Sequence, residues 1–207
     1  MLDLVLPLEC GGCGAPSVRW CDACARTLTV HSDQPMLITP RIDPGVPVFS
    51  LGRHVGVRRA AIIAVKERGR SELAHPLGLA LGGGLRQLVA WGIVVTPVTV
   101  VPGPTRRSAA RRRGGDPVTR LARAAQVPGT AVVQALALRA FTRDSVGLTA
   151  GQRQANIAGR VRVRRPVSGE VVLVDDVVTT GATADESVRV LQTSGARVVA
   201  VLAIAHA

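Results

Sequence analysis

The chain has 207 residues, 47% of them hydrophobic, so it can bury one substantial core and carry a small appendage. Its formal net charge is +12, and all but one of the 26 lysine and arginine residues are arginines. This positive charge, carried by guanidinium groups, indicates an anionic partner. Two Phe, two Trp and no Tyr leave little for base stacking, so charge alone does not choose between a small phosphate compound and a polynucleotide. No apolar run is long enough to cross a bilayer and no signal peptide is expected, so the sequence predicts a soluble, cytoplasmic protein.

Four cysteines lie close to the N-terminus as two Cys-x-x-Cys pairs. They are Cys10, Cys13, Cys21 and Cys24. Four thiolates at this spacing can close a tetrahedral structural zinc site that leaves no coordination position open. The alternatives are a disulfide pair or a thioredoxin-like redox site, which a cytoplasmic location disfavours. His31 is a competing ligand in principle, although a solvated loop histidine is the simpler interpretation.

The chain divides into three parts by composition. Residues 1–30 are predicted to form the four-cysteine zinc finger, and residues 31–47, rich in Pro, Asp, Ser and Thr, a linker. Residues 48–207 are predicted to form the main domain.

Strand and helix patterns alternate through the main domain. Apolar runs predict strands at 48–53, 93–101, 135–141, 170–176 and 197–204. Helical patterns occur at 55–67, at 71–89, after Asp116 and Pro117, and at 183–194. Pro76 and the glycine run 82–84 predict an interruption of the second of these helices. The alternation predicts an α/β domain with a mostly parallel sheet.

The most informative stretch is the apolar run 171–174, which leads into Asp175 and Asp176 and then into a loop of small residues ahead of a helix. Open α/β sheets bind ligands at the carboxyl ends of their strands, and a helix N-terminus favours phosphate. Carboxylates beside a phosphate cradle suit a sugar phosphate, whose ribose hydroxyls donate to them. An ordinary strand–turn–helix with capping aspartates is the alternative. The predicted binding residues are Asp175, Asp176, Val177, Val178, Thr179, Thr180, Gly181, Ala182 and Thr183.

A second candidate loop follows the strand at 93–101. Its predicted phosphate-binding residues are Pro102, Gly103, Arg106 and Arg107. A solvated loop is an equally good interpretation of this segment alone, and the arginines at 111–113 are better explained as a solvated face. The long polar loop 142–157 has little periodicity, which is typical of a functional lid or of a disordered segment.

The stretch 171–183 resembles the phosphoribosyl-pyrophosphate (PRPP) motif of type I phosphoribosyltransferases. In its order of cysteine finger, segment 58–69, loop 101–107, lid and PRPP motif, the chain resembles the ComF family (competence protein F-like) along nearly its whole length. The PRPP motif is the most specific part, the finger second and the lid third. The family usually has Arg-Gly-Phe-Asn-Gln where this chain has residues 113–117, and often an apolar residue at Gly103.

The resemblance implies a type I phosphoribosyltransferase-like α/β fold with loop 101–107 binding pyrophosphate. It also implies a flexible loop that closes over PRPP, carrying Arg143, Gln152, Arg153 and Asn156. Asp175, Asp176 and Arg143 would be the catalytic residues. The expected cofactors are Mg²⁺ with PRPP and a structural zinc ion.

Three functions compete on this basis. The first is Mg²⁺-dependent transfer of phosphoribosyl from PRPP to an unknown nitrogenous acceptor, with release of pyrophosphate. The second is a PRPP-binding adaptor without catalysis that works with DNA or with a competence or repair protein. The third, a zinc-stabilised DNA-binding module, leaves the PRPP motif unexplained. The sequence leaves homo-oligomerisation open.

Overall fold

The computed structural model describes residues 8–105, 115–139 and 159–207. Its α-helices in these ranges are α1 (Asp22–Thr27), α2 (Gly56–Glu67), α3 (Ala74–Ala90), α4 (Pro117–Ala125) and α5 (Ala182–Thr193). Its strands are β1 (Met36–Ile38), β2 (Val48–Ser50), β3 (Val98–Pro102), β4 (Thr130–Val132), β5 (Leu136–Leu138), β6 (Val161–Val163), β7 (Gly169–Val178) and β8 (Ala196–His206).

Six strands form one sheet in the order β1-β2-β8-β7-β3-β4. Only the edge pair β1–β2 is antiparallel, and the other neighbouring strands run parallel. Strands β5 and β6 pair antiparallel with each other as a separate ribbon. The predicted α/β class with a mostly parallel sheet is confirmed.

The core lies on both faces of β7 and β8. Alternate residues of these strands pack on one face against α2, α3 and α4, and on the other face against α5. The apolar run 171–174 is buried on both faces, with Val171 to Val174 at most 2% exposed. Helices on both faces explain why this strand shows no alternation of apolar and polar residues.

Helix α3 corrects one prediction, because it is continuous where the sequence predicted an interruption. Pro76 lies in its first turn, where the missing N–H would have no partner in any case. The glycines give room for close packing. A Cβ on Gly78 would collide with Ala124, and a Cβ on Gly82 with the carbonyl oxygen of Ala125.

Several boundaries also differ from the sequence prediction. The strand expected at 93–101 begins only at Val98, after Pro97. The strand expected at 135–141 is the short β5, which joins the separate ribbon. Segment 31–47, predicted as a linker, contains β1, which extends the main sheet at its edge.

The predicted start of α4 is confirmed. Asp116 is the N-cap and accepts hydrogen bonds from the backbone N–H groups of Val118 and Thr119, and Pro117 opens the helix. In the described ranges, no helix has the length and apolar character required to cross a membrane.

Candidate functional site

The candidate site lies at the carboxyl edge of the sheet, where β3 ends and β7 continues. The last β3–β7 pair joins Pro102 to Val174, so Asp175 and Asp176 come directly after the end of their neighbour strand. The N–H of Gly103 donates to the carbonyl oxygen of Val174 at 2.7 Å. A Cβ on Gly103 would lie 3.1 Å from the Asp175 carboxyl carbon. Parallel pairing therefore brings two predicted binding segments, 102–103 and 175–183, into contact.

The two aspartates differ in their electrostatic surroundings. Burial and the neighbouring charge of Asp176 raise the pKa of Asp175 to about 8, while Lys66 acts in the opposite direction. Asp176 is only 3% exposed, and its Oδ2 lies 2.7 Å from the Nζ of Lys66 in the last turn of α2. Burial beside a second carboxylate therefore favours a protonated Asp175 at neutral pH.

The loop that follows the aspartates ends at Gly181, the N-cap residue of α5. Gly181 has a φ of 89° and no side chain of its own to cap the helix, and the Thr180 hydroxyl accepts a hydrogen bond from the N–H of Ala182 at 3.4 Å. A Cβ at this position would collide with the carbonyl oxygen of Ile42, whose N–H donates to the carbonyl oxygen of Thr180 at 2.8 Å. The backbone thus requires glycine here. A helix N-terminus presents N–H groups of the kind that bind phosphate.

Asp116 connects the loop after β3 to the neighbouring elements. Its Oδ1 accepts a hydrogen bond from the Thr105 hydroxyl at 2.9 Å, in addition to the helix N–H groups that it caps. Its Oδ2 accepts from the Gln134 side-chain amide at 3.0 Å. The sequence predicted the cap but not the two side-chain contacts, which place Thr105 and Gln134 around one carboxylate.

His54 and Lys66 are site residues that the sequence interpretation missed. The N–H of His54 donates to the carbonyl oxygen of His206 at 2.8 Å, which holds His54 beside the end of β8. Within the described part of the chain, the buried Nε2 of His54 has no hydrogen-bond partner. Burial, with the charges of Arg59 and Lys66, lowers the pKa of His54 against the opposing effect of Asp176. Two features of the sequence could have indicated these residues. His54 directly follows a predicted strand, and Lys66 is the only lysine of the chain.

The four cysteines form a compact cluster suited to a metal ion. Their Sγ atoms all lie within 4.8 Å of one another, and the Sγ–Sγ distances of Cys21 to Cys10 and to Cys13 are both 3.6 Å. A tetrahedron with Zn–S bonds of about 2.3 Å has edges of about 3.8 Å. A disulfide requires about 2.05 Å, so the cysteines are free thiols.

Backbone hydrogen bonds favour the thiolate form of one ligand. Burial raises the pKa of Cys10, but N–H groups of Cys13, Gly12 and Cys21 outweigh it and lower the pKa to about 6. The donor set and its spacing fit a structural zinc ion. His31 is exposed and does not belong to the cluster.

Several predicted site residues lie outside the described ranges. They are Arg106 and Arg107 of the predicted pyrophosphate loop, and Arg143, Gln152, Arg153 and Asn156 of the predicted flexible loop. The arginines at 111–113 also fall there. These predictions stay predictions.

No protein-family model matches the chain, and no curated protein matches it. The sequence motif and the geometry at the carboxyl edge are therefore the basis for proposing a function.

Proposed function

We propose that the chain is a PRPP-binding protein of the type I phosphoribosyltransferase kind, similar to the ComF family. Its reaction would be Mg²⁺-dependent transfer of phosphoribosyl to a nitrogenous acceptor with release of pyrophosphate. One observation carries the proposal: two adjacent carboxylates, the N-terminus of α5 and the Pro102–Gly103 loop meet at the carboxyl edge of a parallel sheet. This combination supports binding of a sugar that bears phosphate groups at two positions.

Each part of the edge has a distinct role in this proposal. Asp175 and Asp176 accept hydrogen bonds from the ribose hydroxyls, and the negative charge that the pair carries favours the cationic sugar centre as pyrophosphate departs. The loop 177–183 holds the 5′-phosphate through its backbone N–H groups. Mg²⁺, which prefers oxygen ligands, supplies neutralisation of the pyrophosphate charge when it is bound. The same two carboxylates are oxygen donors available to it.

His54 is the candidate acceptor of the proton that a nitrogenous nucleophile loses. Its lowered pKa favours the neutral imidazole, which can take up a proton, and its Nε2 has no hydrogen-bond partner among the described residues. Replacement of His54 by Gln should leave PRPP binding in place and slow pyrophosphate release by about 10²-fold or more. Equal loss of binding and of release would instead indicate a structural role.

The central experiment is a titration of PRPP in the presence of Mg²⁺ against the wild type and the Asp175→Asn/Asp176→Asn variant. Pyrophosphate release is followed in parallel with a mixture of nucleobases. We expect tight binding and release for the wild type and loss of both in the variant. The matched control is Asp33→Asn/Glu170→Gln, which removes two acids away from the edge and should bind normally. No PRPP binding by the wild type would contradict the proposal.

A PRPP-binding adaptor without catalysis is the second candidate. Two observations favour it: Lys66 already pairs with Asp176, and Asp116, in the segment that departs from the family pattern, is fully engaged in structural hydrogen bonds. PRPP binding without pyrophosphate release from any nucleobase would support the adaptor. Salt-dependent DNA binding that the double substitution does not change would support the zinc-stabilised DNA-binding module.

A further inference from the structure

A cavity of about 250 Å³ lies beside β4, apart from the aspartate pair and the loop 177–183. It is lined by Arg123, Val132, Gln134, Arg164 and Arg165. Three of these residues are arginines and none is an acid, so the lining carries three positive charges. Within the described ranges, none of the three forms an ion pair, whereas Arg189 and Arg197 pair with glutamates.

The backbone around the cavity is held in place by hydrogen bonds. The N–H groups of Arg164 and Arg165 both donate to the carbonyl oxygen of Ala135, at 2.7 and 3.4 Å. The Gln134 side chain is fixed by its bond to Asp116. Arg123 projects from α4, whose opposite side packs in the core. Arg123 lies on α4 and Arg164 and Arg165 follow β6, so arginines from two parts of the fold line one space.

We propose that this cavity binds a phosphate-bearing anion, of which free pyrophosphate is the best-fitting example. Guanidinium groups bind phosphate oxygens in a bidentate manner, and three of them match a multiply charged ligand. The cavity is smaller than the ~300–1,000 Å³ of typical small-molecule sites, which suits a compact anion better than a whole nucleotide. No aromatic side chain lines it for base stacking. The inference does not depend on the proposed function.

The test is calorimetric titration of the folded chain with sodium pyrophosphate and, separately, with inorganic phosphate and a short oligothymidylate, all without added Mg²⁺. The test variant is Arg164→Gln/Arg165→Gln. The matched control is Arg189→Gln/Arg197→Gln, which removes the same charge from ion-paired positions elsewhere. Thermal unfolding establishes that each variant is folded. The Asp175→Asn/Asp176→Asn variant shows whether any of the pyrophosphate binding takes place at the carboxyl edge instead of in the cavity.

We expect pyrophosphate to bind the wild type, and the test variant to weaken binding by at least about tenfold, since each charged hydrogen bond lost costs about that factor or more. The control variant and the aspartate variant should bind as the wild type does. Stronger binding of pyrophosphate than of the oligothymidylate identifies a free anion as the ligand of the cavity. The reverse order identifies the phosphodiester of a nucleic acid as the ligand. Absence of binding, or equal weakening in test and control variants, would overturn the inference.

Discussion

Asp175 and Asp176 are adjacent in sequence, but their carboxyl groups have different electrostatic surroundings. Asp176 is buried and its charge is compensated by Lys66, whereas Asp175 has the charge of Asp176 beside it. Burial disfavours the charged form of Asp175 and the neighbouring charge of Asp176 adds to this effect, so the pKa of Asp175 is raised. A bound cation would offset the repulsion between the two carboxylates, so this edge would favour a ligand that brings a metal ion with it.

The raised pKa of Asp175 has a consequence for stability. Its pKa in the folded state, about 8, exceeds the ordinary 3.8, so the folded protein holds a proton that the unfolded chain releases. The contribution of this group to stability is therefore full at low pH and falls as pH rises from about 4 to about 8. Asp175→Asn should gain stability relative to wild type by at least about 1 kcal/mol between about pH 5.5 and 8.5, because one pKa unit corresponds to about 1.4 kcal/mol. Chemical denaturation at both pH values measures this difference. A gain that does not change with pH would contradict it, and Asp33→Asn is the control.

The ion pair of Lys66 with Asp176 gives a second prediction at the residue scale. The Lys66 side chain is 36% exposed and that of Asp176 is 5% exposed, so solvent screens the pair only on one side. Lys66→Met should destabilise the protein by about 1–3 kcal/mol, less than the ~3–5 kcal/mol of a fully buried pair. Lys66→Met/Asp176→Asn should recover part of that loss, because no buried charge is left without a partner. Additive losses in denaturant unfolding would show that the two residues do not interact.

The sequence alone was enough to single out some of these candidate site residues and not others. Asp175, Asp176 and Gly181 lie within seven residues of the chain, so a local motif was enough to single them out as candidates. His54 and Lys66 reach the same edge from β2 and α2 only because β2 pairs with β8 and α2 packs against the sheet. Such contacts depend on strand order, which local pattern does not determine.

At the scale of elements, the α3–α4 contact shows how glycine is used for packing. Gly78 and Gly82 are one helical turn apart, and both lie against α4, near Ala124 and Ala125. Without side chains at these positions, the two helix backbones approach closely. The sequence pattern predicts an interruption at these glycines, because helix propensity is a local property. The structure has a continuous helix because tertiary packing outweighs a loss of about 1 kcal/mol per glycine.

The glycine packing predicts different effects on stability for two similar substitutions. Gly82→Ala places a Cβ against the backbone carbonyl of Ala125, which cannot move without separating the helices, so we expect a loss of about 1–3 kcal/mol. Gly83→Ala meets only the side chain of Val30, at 2.9 Å, and should stay within about 1 kcal/mol of wild type because alanine favours the helix. Denaturant unfolding of both variants measures this. Equal effects would mean that the helices are not tightly packed at Gly82.

At the scale of the whole molecule, the alternation of strands and helices was enough to predict a parallel α/β sheet. The antiparallel pieces were not predictable in the same way. Strand β1 is three residues long and lies in a segment of turn-forming composition, and β6 is equally short. Strands of this length are stabilised by their partners rather than by their own pattern.

The cysteine cluster is also joined to the main domain. A Cβ on Gly11 would collide with Leu73, and a Cβ on Gly12 would lie 2.9 Å from Val57 of α2. The guanidinium group of Arg70 donates to the carbonyl oxygens of Glu9 and Arg19, at 3.1 and 3.3 Å. A metal ion that orders the cluster should therefore stabilise the domain against which it packs.

Metal removal tests this coupling. Wild type should contain one zinc ion per chain, and Cys13→Ser, at the exposed ligand, should contain little or none. We expect the variant to lose about 3 kcal/mol or more of stability, equivalent to a Tm lower by about 6–12 °C for a chain of this size. Chelation of wild type should give the same shift, and Arg26→Ala on the exposed side of α1 should retain both zinc and Tm. Elemental analysis without zinc would contradict the metal site. An unchanged Tm after zinc removal would show that the cluster and the main domain unfold independently.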